Sequence, residues 1–329
     1  MDFTILETNH LGGYEYYRIP GIIFTEKGSL IACYECRQEK QDWGNIDIAM
    51  RRSTNGGKTW SDRVILVPGN GETANNPIMF SDECQIILMY QIMYRRTFLR
   101  RSFDDGLTWG APEEITHMIK SPGYDHTIIA CGPGHGTVLS SGRYLTPVWL
   151  CANPDDPQAH RPSIISTLYS DDRGSTWQLG ELIRNEELHN PSETTCAEAG
   201  GQVLLNIRHE GPNHRRILAC SPDGISRWHN FRYADELPDP ICSGSMICAN
   251  GSLYFVNCRN ETHRHNLTLQ RSSDGGNTWQ VLQELSVQGG YSDIAASSGT
   301  LYVFCEQGTT YNPPWGSNLE NLSLITIPL

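Results

Sequence analysis

Ser53-Thr-Asn-Gly-Gly-Lys-Thr-Trp60, Ser102-Phe-Asp-Asp-Gly-Leu-Thr-Trp109, Ser170-Asp-Asp-Arg-Gly-Ser-Thr-Trp177 and Ser272-Ser-Asp-Gly-Gly-Asn-Thr-Trp279 are copies of one phrase, Ser-x-Asp-x-Gly-x-Thr-Trp. A worn copy, Ser221-Pro-Asp-Gly-Ile-Ser-Arg-Trp228, keeps the Ser, the Asp and the Trp. Starts at 53, 102, 170, 221 and 272 are 49, 68, 51 and 51 residues apart. Self-similarity at a period of this size marks a stack of supersecondary units.

Each copy carries turn chemistry. The Asp side chain can accept from the backbone a few residues on, and the Gly supplies a positive φ. The Trp is an apolar plug whose N–H can reach a carbonyl. The flanks read as strands: Ile86 to Tyr94 before the second copy, Ile164 to Tyr169 before the third, and Leu267 to Gln270 before the fourth full copy. A box is thus a hairpin turn, and a unit of about 50 residues fits one four-stranded blade. The 329 residues give room for six blades. The expected fold is an all-β, six-bladed β-propeller, one domain over residues 1–329. The terminal strands Asp2 to Leu6 and Ser323 to Ile327 are expected to close the ring. The boxes themselves speak for blades and say nothing of chemistry.

Composition agrees. Glycine is abundant, at 31 residues, and no helical period is sustained. The start, Met1-Asp-Phe-Thr-Ile-Leu-Glu, has neither a basic region nor an apolar core, and no apolar run reaches membrane length. The expectation is a soluble, cytoplasmic protein with no membrane partner, or a secreted one whose leader has been removed. The net charge of −12 argues against nucleic acid, which needs a basic face. The same charge repels an anionic substrate at long range, so any such ligand needs cations focused in a pocket. The 11 cysteines are odd in number and scattered through strand-like segments, as small buried hydrophobes are. Cys33 and Cys36 would face opposite sides of a strand and make a poor metal pair. No histidine spacing suggests zinc, so no metal or cofactor is expected. Three sequons, at Asn260, Asn266 and Asn321, carry little weight without a secretory signal.

Tyr17-Arg18-Ile19-Pro20 resembles the Arg-Ile-Pro signature of the exo-sialidase (neuraminidase) family, six-bladed propellers with Asp-box repeats of glycoside hydrolase family 33 type. The resemblance runs in order to about residue 308. Asp42 lies nine residues before Arg51, as the family's acid/base Asp does, and Asp47 looks like the strand residue that follows. Gly132-Pro-Gly-His-Gly136 with Gly142-Arg-Tyr-Leu-Thr-Pro147 resembles the family's Gly-Pro-Gly loop and the next strand. Glu193-Thr-Thr-Cys-Ala-Glu198, ahead of Val203 to Arg208, resembles its Glu segment and second arginine. Arg264 matches the third arginine, Tyr291 the nucleophile, and Glu306 the closing glutamate.

What the resemblance implies makes physical sense. Sialic acids carry a carboxylate on the anomeric carbon, and guanidinium forks bind carboxylates bidentately. Arg18, Arg208 and Arg264 would form that well, brought together by inner strands pointing at one axis. An anionic nucleophile would be repelled, which favours a tyrosine, and sialidases are known exceptions to the two-carboxylate scheme. Tyr291 would need a base in reach, with Glu193 as the candidate and Glu198 as the alternative. Asp42 would protonate the leaving oxygen and then activate water. Arg37 is expected as an additional pocket arginine, and Glu306 as the residue that orients Arg18.

The implied activity is retaining exo-α-sialidase action on sialylated oligosaccharides or glycoconjugates. Hydrolysis or transfer of a related nonulosonic acid is an alternative, as is a non-catalytic propeller that binds glycan or protein. Trp43, Asn75, Asn76, Tyr94, Tyr124, Asp125 and His126 are candidates for the rim. Departures from the pattern are Asn55 for Asp in the first box, Ile225 where the worn box should have Gly, and Tyr17 where many relatives have Phe. The turn Glu198 to Gln202 is also one residue short. Linkage preference and oligomeric state are not legible.

Overall fold

A computed structural model describes residues 1–121, 123–156, 158–308 and 319–329. Antiparallel four-stranded sheets follow one another around a ring. Blade I is Tyr16–Phe24, Leu30–Arg37, Ile46–Ser53 and Val64–Val67. Blade II is Ala74–Ser81, Ile86–Ile92, Arg96–Ser102 and Glu113–Glu114. Blade III is Ile128–Cys131, Tyr144–Cys151, Ser163–Ser170 and Gln178–Leu179. Blade IV is Thr195–Ala199, Gln202–Ile207, Arg215–Ser221 and His229–Pro238.

Blade V begins with Ser245–Ala249, Ser252–Cys258 and His265–Ser272. The long strand Gln280–Ser297 is then shared. Its first half pairs with blade V, Gln288 opposite His265, and its second half with Thr300–Gln307, Asp293 opposite Phe304. The chain so passes from the rim of blade V to the centre of blade VI without a break. Blade VI is completed by Asn321–Pro328 and, from the other end of the chain, by Asp2–Thr8. The terminal strands close the ring, as the sequence suggested.

Six apolar clusters fill the space between blades, one at each junction. The boxes sit between third and fourth strands of blades I to V, and their geometry explains the motif. In the third box, Ser170 Oγ accepts from Gly174 N (2.7 Å), Asp172 Oδ1 accepts from Thr176 N (2.8 Å), and Trp177 Nε1 donates to Gly174 O (3.0 Å). Gly174 has φ +83, and a Cβ there would lie 2.6 Å from Ile87 Cδ1 of the preceding blade. The same holds for Gly106 against Ile31, Gly224 against Leu145, Gly276 against Leu204 and Gly57 against Leu324. Each box therefore presses a bare backbone into its neighbour, which is why glycine recurs. Every such contact joins one blade to the one before it around the ring.

Two details differ from expectation. The worn box is shifted, not broken: Gly224, one place early, donates to Ser221 Oγ (2.9 Å) with φ +77. Ile225 therefore fills no glycine's role, although Trp228 Nε1 is left without a partner. The apolar run from Ile86 is the second strand of blade II, whereas the strand touching the box is Arg96–Ser102. Its three arginines, at 96, 100 and 101, hid it from an apolar search.

Candidate functional site

Inner strands reach the mouth of the ring with a register break in three blades. The breaks lie between Arg18 and Gly21, between Asn75 and Ile78, and between Gly289 and Ser292. Ile19 (φ +56) and Asn76 (φ +50) occupy the left-handed region, where a β-branched residue is strained. Such bulges re-aim side chains, and here they turn Arg18 and Tyr291 into one cavity of about 270 Å³, with Asn76 on its wall. Pro20 and Pro77 cost the ladder nothing at these breaks, since no amide hydrogen is needed there.

The cavity is lined by Arg18, Arg37, Asp42, Glu193, Arg208, Arg264 and Tyr291, among others. The Tyr291 hydroxyl donates to Glu193 Oε1 at 2.5 Å. Guanidinium carbons of Arg18 and Arg264 lie 5.2 and 5.3 Å from the Tyr291 ring centroid. Arg208 Nη1 bonds both Ser192 Oγ (2.9 Å) and the second oxygen of Glu193. Arg18 Nε donates to Glu306 Oε1 (3.1 Å), and the backbone amides of Ile19 and Tyr291 donate to the same fully buried carboxylate at 3.1 and 3.0 Å. Arg37, itself buried, bonds Glu35 and holds Asp42 Oδ1 at 2.8 Å.

Burial raises the Tyr291 hydroxyl far above the ordinary tyrosine value; Glu193 adds to this and the three arginines oppose it. The resting tyrosine is therefore neutral. Burial also pushes Asp42 upward, but Arg37 and Arg18 outweigh it and leave the carboxyl below its usual range. Two donors are left over. Arg264 makes one bond, from Nη2 to Ile241 O (3.1 Å), and has no carboxylate partner among the described residues. Arg208 Nε is buried with no partner among the described residues. A buried cation without a counterion is costly, so the cavity floor is built for an anion from outside. No group of three His, Cys, Asp or Glu that could hold a metal occurs among the described residues. No helix among them is long and apolar enough to cross a membrane.

The model of the BNR repeat-like domain matches residues 28–303. This chain belongs to the BNR-repeat, sialidase-type propeller family. A sialidase of Bacteroides fragilis is 26% identical over 325 residues, covering 85% of this chain and 57% of that protein. One of Micromonospora viridifaciens is 28% identical over 362 residues, covering 97% and 53%. The BNR-repeat chain thus spans little more than half the length of these curated relatives. Among solved structures, a Hadza microbial sialidase superposes with a TM-score of 0.81 at 25% identity, over 96% of this chain and 66% of that one.

In this BNR-repeat propeller the eight residues singled out from sequence come together. Seven line the cavity and Glu306 supports it from behind. Their route differs from the inner-strand expectation. Arg18 and Tyr291 do sit on inner strands, but Arg208 follows the second strand of blade IV and Arg264 precedes the third of blade V. Asp42 is in the loop between second and third strands of blade I. Glu198 lies elsewhere, with its oxygens on Ser140 N and Oγ (2.6 and 2.7 Å). Asp47 accepts from Tyr14 and Gly69 and is outside the cavity.

Of the rim candidates, Asn76 and Tyr94 line the cavity and Trp43 packs on Tyr94 at 4.9 Å. Asn75 is buried beneath, its side-chain oxygen accepting from Tyr94 N at 3.2 Å. Tyr124 belongs to a separate groove with Pro162 and Ile183, and Asp125 and His126 do not line the cavity. Sequence reasoning missed Trp149, His160, Asn190, Ser192 and the Arg161–Glu210 pair. It missed Glu35 too, whose one signal was a carboxylate two places before Arg37 on an otherwise buried strand.

Proposed function

We propose that this chain is an exo-α-sialidase acting with retention on terminal α-linked sialic acid of oligosaccharides or glycoconjugates. The observation that carries the reading is the Tyr291 hydroxyl on Glu193, with Arg18 and Arg264 against the ring. A propeller that only bound glycan would have no use for a buried tyrosine paired with a base. The substrate carboxylate would bind Arg264, Arg18 and Arg208, taking the vacant donors. Glu193 takes the phenolic proton as the Tyr291 oxygen bonds to the anomeric carbon. The glycosidic bond breaks, and Asp42 gives its proton to the departing oxygen. In the second half, Asp42 removes a proton from water, whose oxygen bonds to the anomeric carbon as the tyrosyl bond breaks, and Glu193 returns the proton to Tyr291. Two displacements give retention.

The test is release of methylumbelliferone from its α-N-acetylneuraminic acid conjugate, with Tyr291→Phe as control. Turnover by the parent and none by the variant is expected. Normal hydrolysis by Tyr291→Phe would remove the nucleophile. A folded but silent parent would shift the substrate to another nonulosonic acid, because the arginines read only the carboxylate.

A further inference from the structure

A second cavity, of about 580 Å³, shares Arg18 and Arg264 with the first and is lined further out by Asn9, His10, Tyr16, Lys40, Glu320 and Asn321. Resting on the sialidase reading above, we propose that this groove receives the group attached to the leaving oxygen and favours one that carries an anion, held by Lys40.

Position argues first. Arg37 Nη1 donates to Lys40 O at 3.2 Å and to Asp42 Oδ1 at 2.8 Å. The same buried guanidinium therefore fixes the backbone of Lys40 and the carboxyl that protonates the leaving oxygen. Asp42 lines the first cavity and Lys40, two residues before it, lines the second; on the proposal the departing group passes from Asp42 toward Lys40.

Charge argues second. The other cations of the groove are either answered or engaged. His10 Nδ1 meets Glu15 at 2.7 Å, Arg18 is paired with Glu306, and Arg264 faces the substrate carboxylate. Lys40 is exposed and has no ion-pair partner among the described residues. In a chain of net charge −12 an unanswered ammonium at the lip of a cavity is selective for what arrives there. Glu320 also lines the groove, so the anion is assigned to Lys40 itself. Tyr16, with its ring held edge-on by His10 at 5.6 Å, offers an apolar face for a sugar ring.

The experiment compares kcat/KM of the parent, Lys40→Ala and Lys40→Glu on four substrates. These are the methylumbelliferyl conjugate, sialyllactose, a disialoside of two linked sialic acids, and a sialoside sulfated on its penultimate sugar. For the last two, Lys40→Ala is expected to lose roughly threefold to tenfold, Lys40→Glu more, and added salt to narrow the gap. The first two substrates are expected to be unchanged. A loss on only one of the anionic substrates names the anion and supports the proposal. An equal effect on all four, or none on any, overturns it while leaving the sialidase reading intact. A parent inactive on all four overturns that reading, and the groove's role with it.

Discussion

Glu306→Gln tests how far one carboxylate organises the site. Glu306 has no solvent exposure and takes contacts from Arg18 Nε (3.1 Å), Arg18 Nη2 (3.5 Å), Ile19 N (3.1 Å) and Tyr291 N (3.0 Å). The two backbone donors go to different oxygens, so the amide's NH2 must face one of them in either orientation. Arg18 also loses its ion-pair partner. Removing one partner of a buried pair costs about 3–5 kcal/mol. Gln keeps the shape and one acceptor, so about 3 kcal/mol is expected, a fall in Tm of roughly 4 °C for a chain of 329 residues. A misplaced Arg18 should reduce kcat/KM on the order of 10²-fold, by analogy with the loss of one preorganised charge-stabilising donor. KM should rise as carboxylate recognition weakens, and kcat should fall as the Tyr291 backbone loses its anchor. Gly290→Ala strikes the same carboxylate independently, since a Cβ there would lie 2.3 Å from Glu306 Oε2. Thermal melting and steady-state kinetics on the methylumbelliferyl conjugate decide it. A Glu306→Gln variant that melts with the parent and keeps kcat/KM within about twofold would refute the reasoning.

Gly174→Ala should destabilise by about 2–3 kcal/mol, combining positive-φ strain with the clash on Ile87, and leave KM unchanged. Gly142→Ala is its control, because φ is +85 there but nothing lies within 4 Å, so strain alone of about 1 kcal/mol should appear; equal melting shifts would reject the interlocking role of the boxes. Asp42 must carry a proton to act as acid, yet Arg37 and Arg18 hold it below the usual carboxylate range. Its protonated fraction therefore shrinks as pH rises, so kcat/KM on sialyllactose should fall from mildly acid pH through neutrality, more steeply than on the methylumbelliferyl conjugate with its better leaving group. A sialyllactose rate that climbs over that interval would exclude Asp42 as the acid.

The fold was legible because each box is a local turn whose residues answer to one geometry. The interlocking of blades was not, since it depends on which neighbour meets each glycine. The site was legible only as a pattern of residue types in family order. Inner-strand alternation would not have placed Arg208, which follows the second strand of blade IV, or Arg264, which precedes the third of blade V. His160, Asn190 and Glu210 sit in connections with no period to reveal them. The plug of the ring was likewise hidden. Asp293 Oδ1 meets His135 Nδ1 (2.7 Å) and Ser245 Oγ (2.6 Å), and its Oδ2 accepts from Ile22 N (2.7 Å). One buried carboxylate thus ties the Gly132–Gly136 loop to strands of blades I, V and VI. Asp293 reads in sequence as a residue two places from Tyr291 and nothing more.

Glu193 is shared, and that sharing bears on how an acidic protein could handle an anionic sugar. One oxygen accepts from Tyr291 and the other is paired with Arg208. While that pairing holds, the carboxylate is engaged on both sides. A substrate carboxylate entering the floor would compete for Arg208, whose Nε has no partner among the described residues, and for Arg264, which has no carboxylate partner among them. Each share of Arg208 drawn away loosens its hold on Glu193, at the moment the anomeric carbon would be in reach of Tyr291. On the proposed mechanism the anion that makes an acidic nucleophile unworkable also readies the neutral one.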